Sequence, residues 1–202
     1  MDRTRLENLG RLLADRHAAP AEPQSQHSLL NYAESSRVGD WTMRSALVRF
    51  AQPEPLRASS LLELVRRLDT VLQHVARPLE RHTVRCDREL GESFTADPIA
   101  PYPDTRTVDL ARLERAVPDD FATILGSYAA VSELDQEEHG ALPLLGLALQ
   151  FDDLAATLTR WANDVAEGPP VAAVDEICAG VRNRMDELGV PTETRPPGRG
   201  RP

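Results

Sequence analysis

Lysine is absent from this sequence, and all 23 of its basic residues are arginine. Lysine is the amine that forms Schiff bases, and it holds the phosphates of ATP in P-loop proteins and protein kinases. Its absence excludes those mechanisms in their usual form. Codon bias in a GC-rich genome accounts for the use of arginine in place of lysine throughout the chain.

Aromatic residues are scarce, at 4% of the chain, whereas hydrophobic residues as a whole reach 41%. The core must therefore be built from Leu, Val and Ala, which favours helices over sheets. We expect an all-α protein, a single helical bundle of about six to seven helices over residues 1–190. Residues 191–202, rich in Pro, Gly and Arg, are expected to form a disordered tail.

Cysteine is also rare, and Cys86 and Cys178 are the only two in the sequence. They are far apart and match no metal-binding or redox spacing, so reduced thiols and a cytoplasmic location are expected. We expect no apolar run long enough to cross a bilayer and no apolar signal core after the N-terminus. We therefore expect no membrane association, no cofactor and no metal site.

Charge is distributed unevenly along the chain. Residues 1–91 carry 14 Arg against 12 acidic residues, whereas residues 92–202 carry 9 Arg against 20. The net charge of −9 opposes non-specific binding to nucleic acid. Between the two halves, the proline-rich segment 92–107 is a candidate internal boundary.

Apolar residues recur at intervals of three and four in several segments, which predicts helices. The predicted segments are residues 4–18, 40–50, 60–81, 108–117, 118–128, 142–166 and 171–188. The apolar faces of 61–79, 144–165 and 171–188 should form the core. Candidate helix starts are the Thr4-x-x-Glu7 and Ser60-x-x-Glu63 capping boxes and Pro143, and Gly189 is a stop signal.

Pro78 leaves the following residues open to two interpretations, because proline kinks or ends a helix. If the helix continues past it, His82 and Cys86 share one face, but two ligands do not make a metal site. If it ends there, residues 82–90 form a loop.

Two short motifs resemble known binding elements. The tail segment Arg199-Gly200-Arg201-Pro202 resembles the core of an AT-hook, which places Arg in the narrow minor groove of A·T-rich DNA. Gln150-Phe151-Asp152-Asp153-Leu154 resembles an aspartate-rich motif of helical prenyl-diphosphate enzymes, but Ala156 replaces its third Asp. We interpret the first as a solvated tail and the second as a polar helix face.

A longer segment, about residues 60–160, resembles the helical lobe of aminoglycoside-phosphotransferase-like kinases. Helix 60–81 is followed by Val84–Glu92, where that family has His-Gly-Asp-x-x-x-x-Asn, and only Asp87 and Gly91 match. Glu92 replaces the metal-binding Asn, and the ATP-anchoring Lys and Gly-rich lobe are missing. The resemblance implies a degenerate relative, in which Asp87, Glu92 and Asp109 would be the candidate catalytic residues.

The leading hypothesis is a non-catalytic accessory or regulatory protein that binds a protein partner or self-associates. This hypothesis follows because the predicted helices have regular apolar faces, whereas the sequence contains no complete set of catalytic residues. The alternatives are a degenerate phosphotransferase-like enzyme and DNA association through Arg199 and Arg201.

Overall fold

A computed structural model describes residues 2–18, 41–76, 78–80, 82–84, 102–163 and 168–190. Within these ranges the protein is all-α, with seven helices and one pair of short strands. The helices are α1 (Arg3–His17), α2 (Trp41–Phe50), α3 (Pro55–Ala76), α4 (Thr107–Ala116), α5 (Phe121–Ala129), α6 (Gln136–Asn163) and α7 (Val171–Glu187). The strands are β1 (His82–Val84) and β2 (Tyr102–Asp104). The predicted fold class and number of helices are confirmed, and the predicted tail 191–202 lies outside the described residues.

The chain forms two compact units. Unit 1 comprises residues 1–35 and 72–149, and unit 2 comprises residues 36–71 and 150–202. In unit 1, α1 crosses α5 so closely that Gly10 lies against the backbone of Ile124. Leucines on the inner faces of α1, α4 and α6 fill the core of this unit: Leu6, Leu13, Leu110, Leu113, Leu145 and Leu147.

Unit 2 contains α2, most of α3, the second half of α6, and α7. Two ion pairs join α3 to α7: Arg57 Nε lies 2.8 Å from Asp175, and an Arg67 nitrogen lies 3.6 Å from Asp186. Since the lower-numbered residues pair together and the higher-numbered ones pair together, the two helices run parallel. The predicted apolar faces are buried between the helices of this unit, including Leu61, Leu68, Leu154, Val174 and Val181.

Two helix starts differ from the sequence prediction. The N-cap of α1 is Asp2, whose carboxylate accepts a hydrogen bond from Thr4 N at 3.4 Å. Thr4 is therefore inside the helix. Likewise α3 begins at Pro55 and not near Ser60, because proline suits the first helical position, where no amide donor is required. Both predicted capping boxes are wrong.

Helix α6 begins at Gln136, so the predicted start at Pro143 is wrong. Asp135 Oδ1 accepts from Glu138 N at 2.7 Å, and Glu138 Oε2 accepts from Asp135 N at 3.0 Å, a reciprocal capping box. The resulting 28-residue helix is long and apolar enough to cross a bilayer, contrary to our expectation. Half of its most apolar window is buried inside the protein.

The predicted stop at Gly189 is confirmed. Gly189 has φ of 68°, a conformation that glycine adopts without steric cost. Its amide donates to Asp186 O, and the amide of Val190 donates to Met185 O, which together form a Schellman cap. Arg67 donates to Val190 O, so α3 holds the end of α7 in place.

Residues after Pro78 do not continue α3, which ends at Ala76. His82–Val84 is a strand that pairs antiparallel with Tyr102–Asp104, with His82 opposite Asp104. The interpretation that placed His82 and Cys86 on one helix face is therefore wrong for His82, and Cys86 lies outside the described residues. At the end of the proline-rich segment 92–107, Asp104, Thr105 and Thr107 are fully buried.

Candidate functional site

A buried polar network in unit 1 joins α1 to α4 and α5. His17, in the last turn of α1, places Nε2 3.2 Å from Asp109 Oδ2 and Nδ1 2.9 Å from the Tyr128 hydroxyl. All three residues are at most 1% exposed. Buried polar groups are stable only when they are hydrogen-bonded, so this arrangement fixes the end of α1.

The proton positions follow from the chemistry of the partners. A carboxylate only accepts, so His17 donates from Nε2 to Asp109, and in the neutral ring the Tyr128 hydroxyl donates to Nδ1. The carbonyl of His17 in turn accepts from His82 Nδ1 at 2.7 Å. The network therefore connects α1 with β1 as well as with α4 and α5.

A buried ion pair lies beside this network. Arg106 forms two 2.6 Å hydrogen bonds to the two oxygens of Glu138, and it also donates to Ser132 Oγ and Glu133 O. The Glu138 carboxylate raises the pKa of the Arg106 guanidinium, which stays charged. The guanidinium carbon is 5.9 Å from the centre of the Tyr128 ring. Arg106 thus links the start of α4 to the capping box of α6.

Asp109, His17 and Tyr128 together have the composition of a proton relay, but their burial argues against catalysis. A general acid or base must reach its substrate within hydrogen-bond distance, directly or through one water. Side chains that are at most 1% exposed offer no such access in this conformation. Across the part of the chain that the structure describes, no three His, Cys, Asp or Glu residues are grouped to hold a metal.

The buried hydroxyl of Tyr128 makes unit 1 sensitive to alkali. Burial raises the pKa of Tyr128 to about 12 from its ordinary 10.0. The folded state then holds this proton more tightly than the unfolded state, so the stabilisation is complete below pH 10 and is lost as the pH rises toward 12. We expect urea denaturation to show a loss of roughly 2–3 kcal/mol over that window. Tyr128→Phe, which has no phenolic proton, should show a clearly smaller loss, and equal losses would contradict the argument.

An open groove lies between α3 and α7 in unit 2, and we call it the α3–α7 groove. Its volume is about 400 Å³. The lining residues are Leu56, Arg57, Ser60, Val174, Asp175, Cys178 and Arg182. Val174 and Cys178 form an apolar floor, because both are buried, whereas Leu56 is 84% exposed at the rim. An accessible site of this kind has an apolar centre and a charged edge.

Charged residues at the edge of the groove differ in how they are paired. Arg57 lies between Asp175, at 2.8 Å, and Glu54, at 2.6 Å. These carboxylates raise the pKa of the Arg57 guanidinium, so it remains charged. Arg182 is exposed, and it makes no ion pair with any residue that the structure describes.

Cys178, on the floor of the groove, is not an activated thiol. Burial raises its pKa, and the nearby Arg182 only partly offsets that effect. The thiolate is the nucleophilic form of cysteine, so a raised pKa makes covalent catalysis by this residue unfavourable. The groove is therefore suited to binding and not to nucleophilic chemistry.

Some of the candidate residues taken from the sequence lie within the described ranges, and others do not. Asp109 is buried and hydrogen-bonded to His17, whereas the family resemblance implied a catalytic role for it. Asp87, Glu92, Arg199 and Arg201 lie outside the described residues. Asp152 is half-buried on α6 and Asp153 is exposed. Sequence reasoning missed His17, Tyr128 and Arg106, whose partners are distant in the chain.

No known protein family, curated protein or solved structure matches this chain.

Proposed function

We propose that this protein is a non-catalytic accessory or regulatory protein that acts by binding another protein chain at the α3–α7 groove. The observation that carries the proposal is the position of Leu56. This large apolar side chain is 84% exposed at the rim of a groove whose floor, at Val174 and Cys178, is apolar. Contact with a partner would remove Leu56 from water, which is favourable.

The chemistry of the groove also supports binding to protein. Protein interfaces combine an apolar centre with a polar rim, and Arg57, Asp175 and Arg182 surround Leu56 and the floor in this way. Arginine is enriched at interfaces, since its planar guanidinium pairs with carboxylates in a fixed geometry. Arg182 has no ion pair within the described ranges, so it is available to a carboxylate of the partner.

The buried network supports the non-catalytic part of the proposal. Its acidic, basic and phenolic groups, Asp109, His17 and Tyr128, are hydrogen-bonded to one another. Their contacts stabilise the packing of α1, and this accounts for them without a reaction. The accessible groups are those of the groove, where the cysteine is not activated.

Site-specific photocrosslinking tests the proposal. A photoreactive phenylalanine replaces Leu56 in one variant, and in a control it replaces Val131, which is 50% exposed and lies in unit 1. After irradiation in the source cells, we expect an adduct of discrete mass from position 56 and none from position 131. Arg182→Glu should abolish that adduct, because it places a negative charge at the edge of the groove. Adducts of equal yield at both positions, or none at either, would exclude the groove as a binding site.

A further inference from the structure

We propose that the partner is a second copy of this chain, with α7 packed antiparallel against α7 of the other copy around a two-fold axis near Cys178 and Ala179. This inference rests on the proposed function, since it names the occupant of the same surface. Symmetric pairs are the commonest oligomers, and their interface must be complementary to itself. The exposed face of α7 must therefore meet that condition.

The charges on the exposed face of α7 meet this condition of self-complementarity. Asp175 and Arg182 are both exposed and both line the α3–α7 groove. They are seven residues apart, which is about two helical turns, so they lie on the same side of α7 about 10 Å apart along its axis. The midpoint between them falls between Cys178 and Ala179. A two-fold axis at that midpoint, perpendicular to α7, places Asp175 of each copy opposite Arg182 of the other.

Each of these two residues has capacity for that contact. Arg182 makes no ion pair in the part of the chain that the structure describes. Asp175 accepts from Arg57 Nε through both oxygens, yet its side chain is still 51% exposed. A carboxylate has about four lone-pair sites and can accept further bonds. The symmetric arrangement therefore forms two reciprocal ion pairs, in each of which Asp175 lies between Arg57 of its own chain and Arg182 of the other copy.

The surface next to the axis allows two helices to approach closely. Ala179 is exposed at the centre of α7, on the same side of the helix as Asp175 and Arg182. Leu56 of α3 is exposed beside the same groove, so contact with the other copy would cover it. This small side chain alone would not indicate a partner, but it permits the approach that the two ion pairs require.

Cysteine cross-linking tests the position of the axis. In a Cys86→Ser, Cys178→Ser background, Ala179→Cys places thiols next to the axis, where the two Cα atoms come within the roughly 7 Å that a disulfide requires. Ala172→Cys is the matched control, because it lies on the same exposed face two turns away. Its two copies would be about 20 Å apart. We expect mild oxidation to dimerise the first variant and not the second, and equal yields, or no dimer of the first, would overturn the proposal.

Sedimentation from micromolar to sub-millimolar concentration tests the ion pairs in the protein without cross-links. Arg182→Glu should weaken self-association by about tenfold or more, since both reciprocal pairs become repulsive. Arg184→Glu changes the net charge equally on the same helix, but Arg184 pairs with Glu187 of its own chain at 2.8 Å. This control should associate as the wild type does, and equal weakening by both would overturn the assignment. A Leu56 photoadduct that contains a different protein would retain the proposed function and exclude a second copy as the partner.

Discussion

Replacing Gly10 with alanine is expected to lower the free energy of unfolding by about 3 kcal/mol, more than a typical surface substitution does. An added Cβ would lie 2.2 Å from Ser127 Oγ, 2.3 Å from Ile124 O and 2.9 Å from Tyr128 N. Two of these three atoms belong to the backbone of α5 and cannot rotate away. Helix α1 would have to move outward, which would also stretch the hydrogen bonds of His17.

The control for this experiment is Gly126→Ala, on α5. A Cβ at Gly126 would meet no atom within 4 Å, and alanine is favoured over glycine inside a helix by about 1 kcal/mol. Urea denaturation followed by circular dichroism should therefore show destabilisation for Gly10→Ala and a small gain for Gly126→Ala. If Gly10→Ala were neutral, the close crossing of α1 and α5 would be wrong.

Removing Glu138 is expected to have a second large effect, a loss of about 3–5 kcal/mol in Glu138→Ala. The side chains of Arg106 and Glu138 are only 11% and 4% exposed. Truncation would leave the Arg106 guanidinium buried without its carboxylate, and the cost of an unpaired buried charge exceeds the attraction that is lost. The variant also loses the acceptor for Asp135 N at the start of α6.

Two further variants separate these contributions. Glu187→Ala removes the carboxylate of an exposed pair, in which Arg184 and Glu187 are 52% and 62% exposed. It should cost at most about 0.5 kcal/mol. The double variant Arg106→Met, Glu138→Leu leaves no buried charge and should recover part of the stability lost by Glu138→Ala. A loss in Glu187→Ala as large as that in Glu138→Ala would contradict the importance of burial.

Periodicity in the sequence predicted the helices and the core well, because apolar spacing reports burial directly. Leu61, Leu68 and Leu72 of α3 are all fully buried, as their spacing of four and seven residues indicates. Helix starts were harder to locate, since several residues near each start could cap it. The Asp135-x-x-Glu138 pattern could have located the start of α6, but Pro143 was the more prominent signal.

The polar network could not have been predicted in the same way. His17 is 92 residues from Asp109 and 111 residues from Tyr128 in the sequence, and no periodic pattern connects them. Histidine near the end of a helix is usually exposed, and only the packing of α1 on α5 buries this one. Asp109 was noticed through a family resemblance, which gave it a role unrelated to its contact with His17.

The pairing of β1 with β2 has a consequence for how the chain tolerates changes in length. Val84 and Tyr102 are Cα partners in this pair, so the segment between them leaves and returns at one place. A reporter domain whose own two ends lie close together could therefore be inserted beside this pair without separating β1 from β2, and this makes the pair a natural position for engineering the protein.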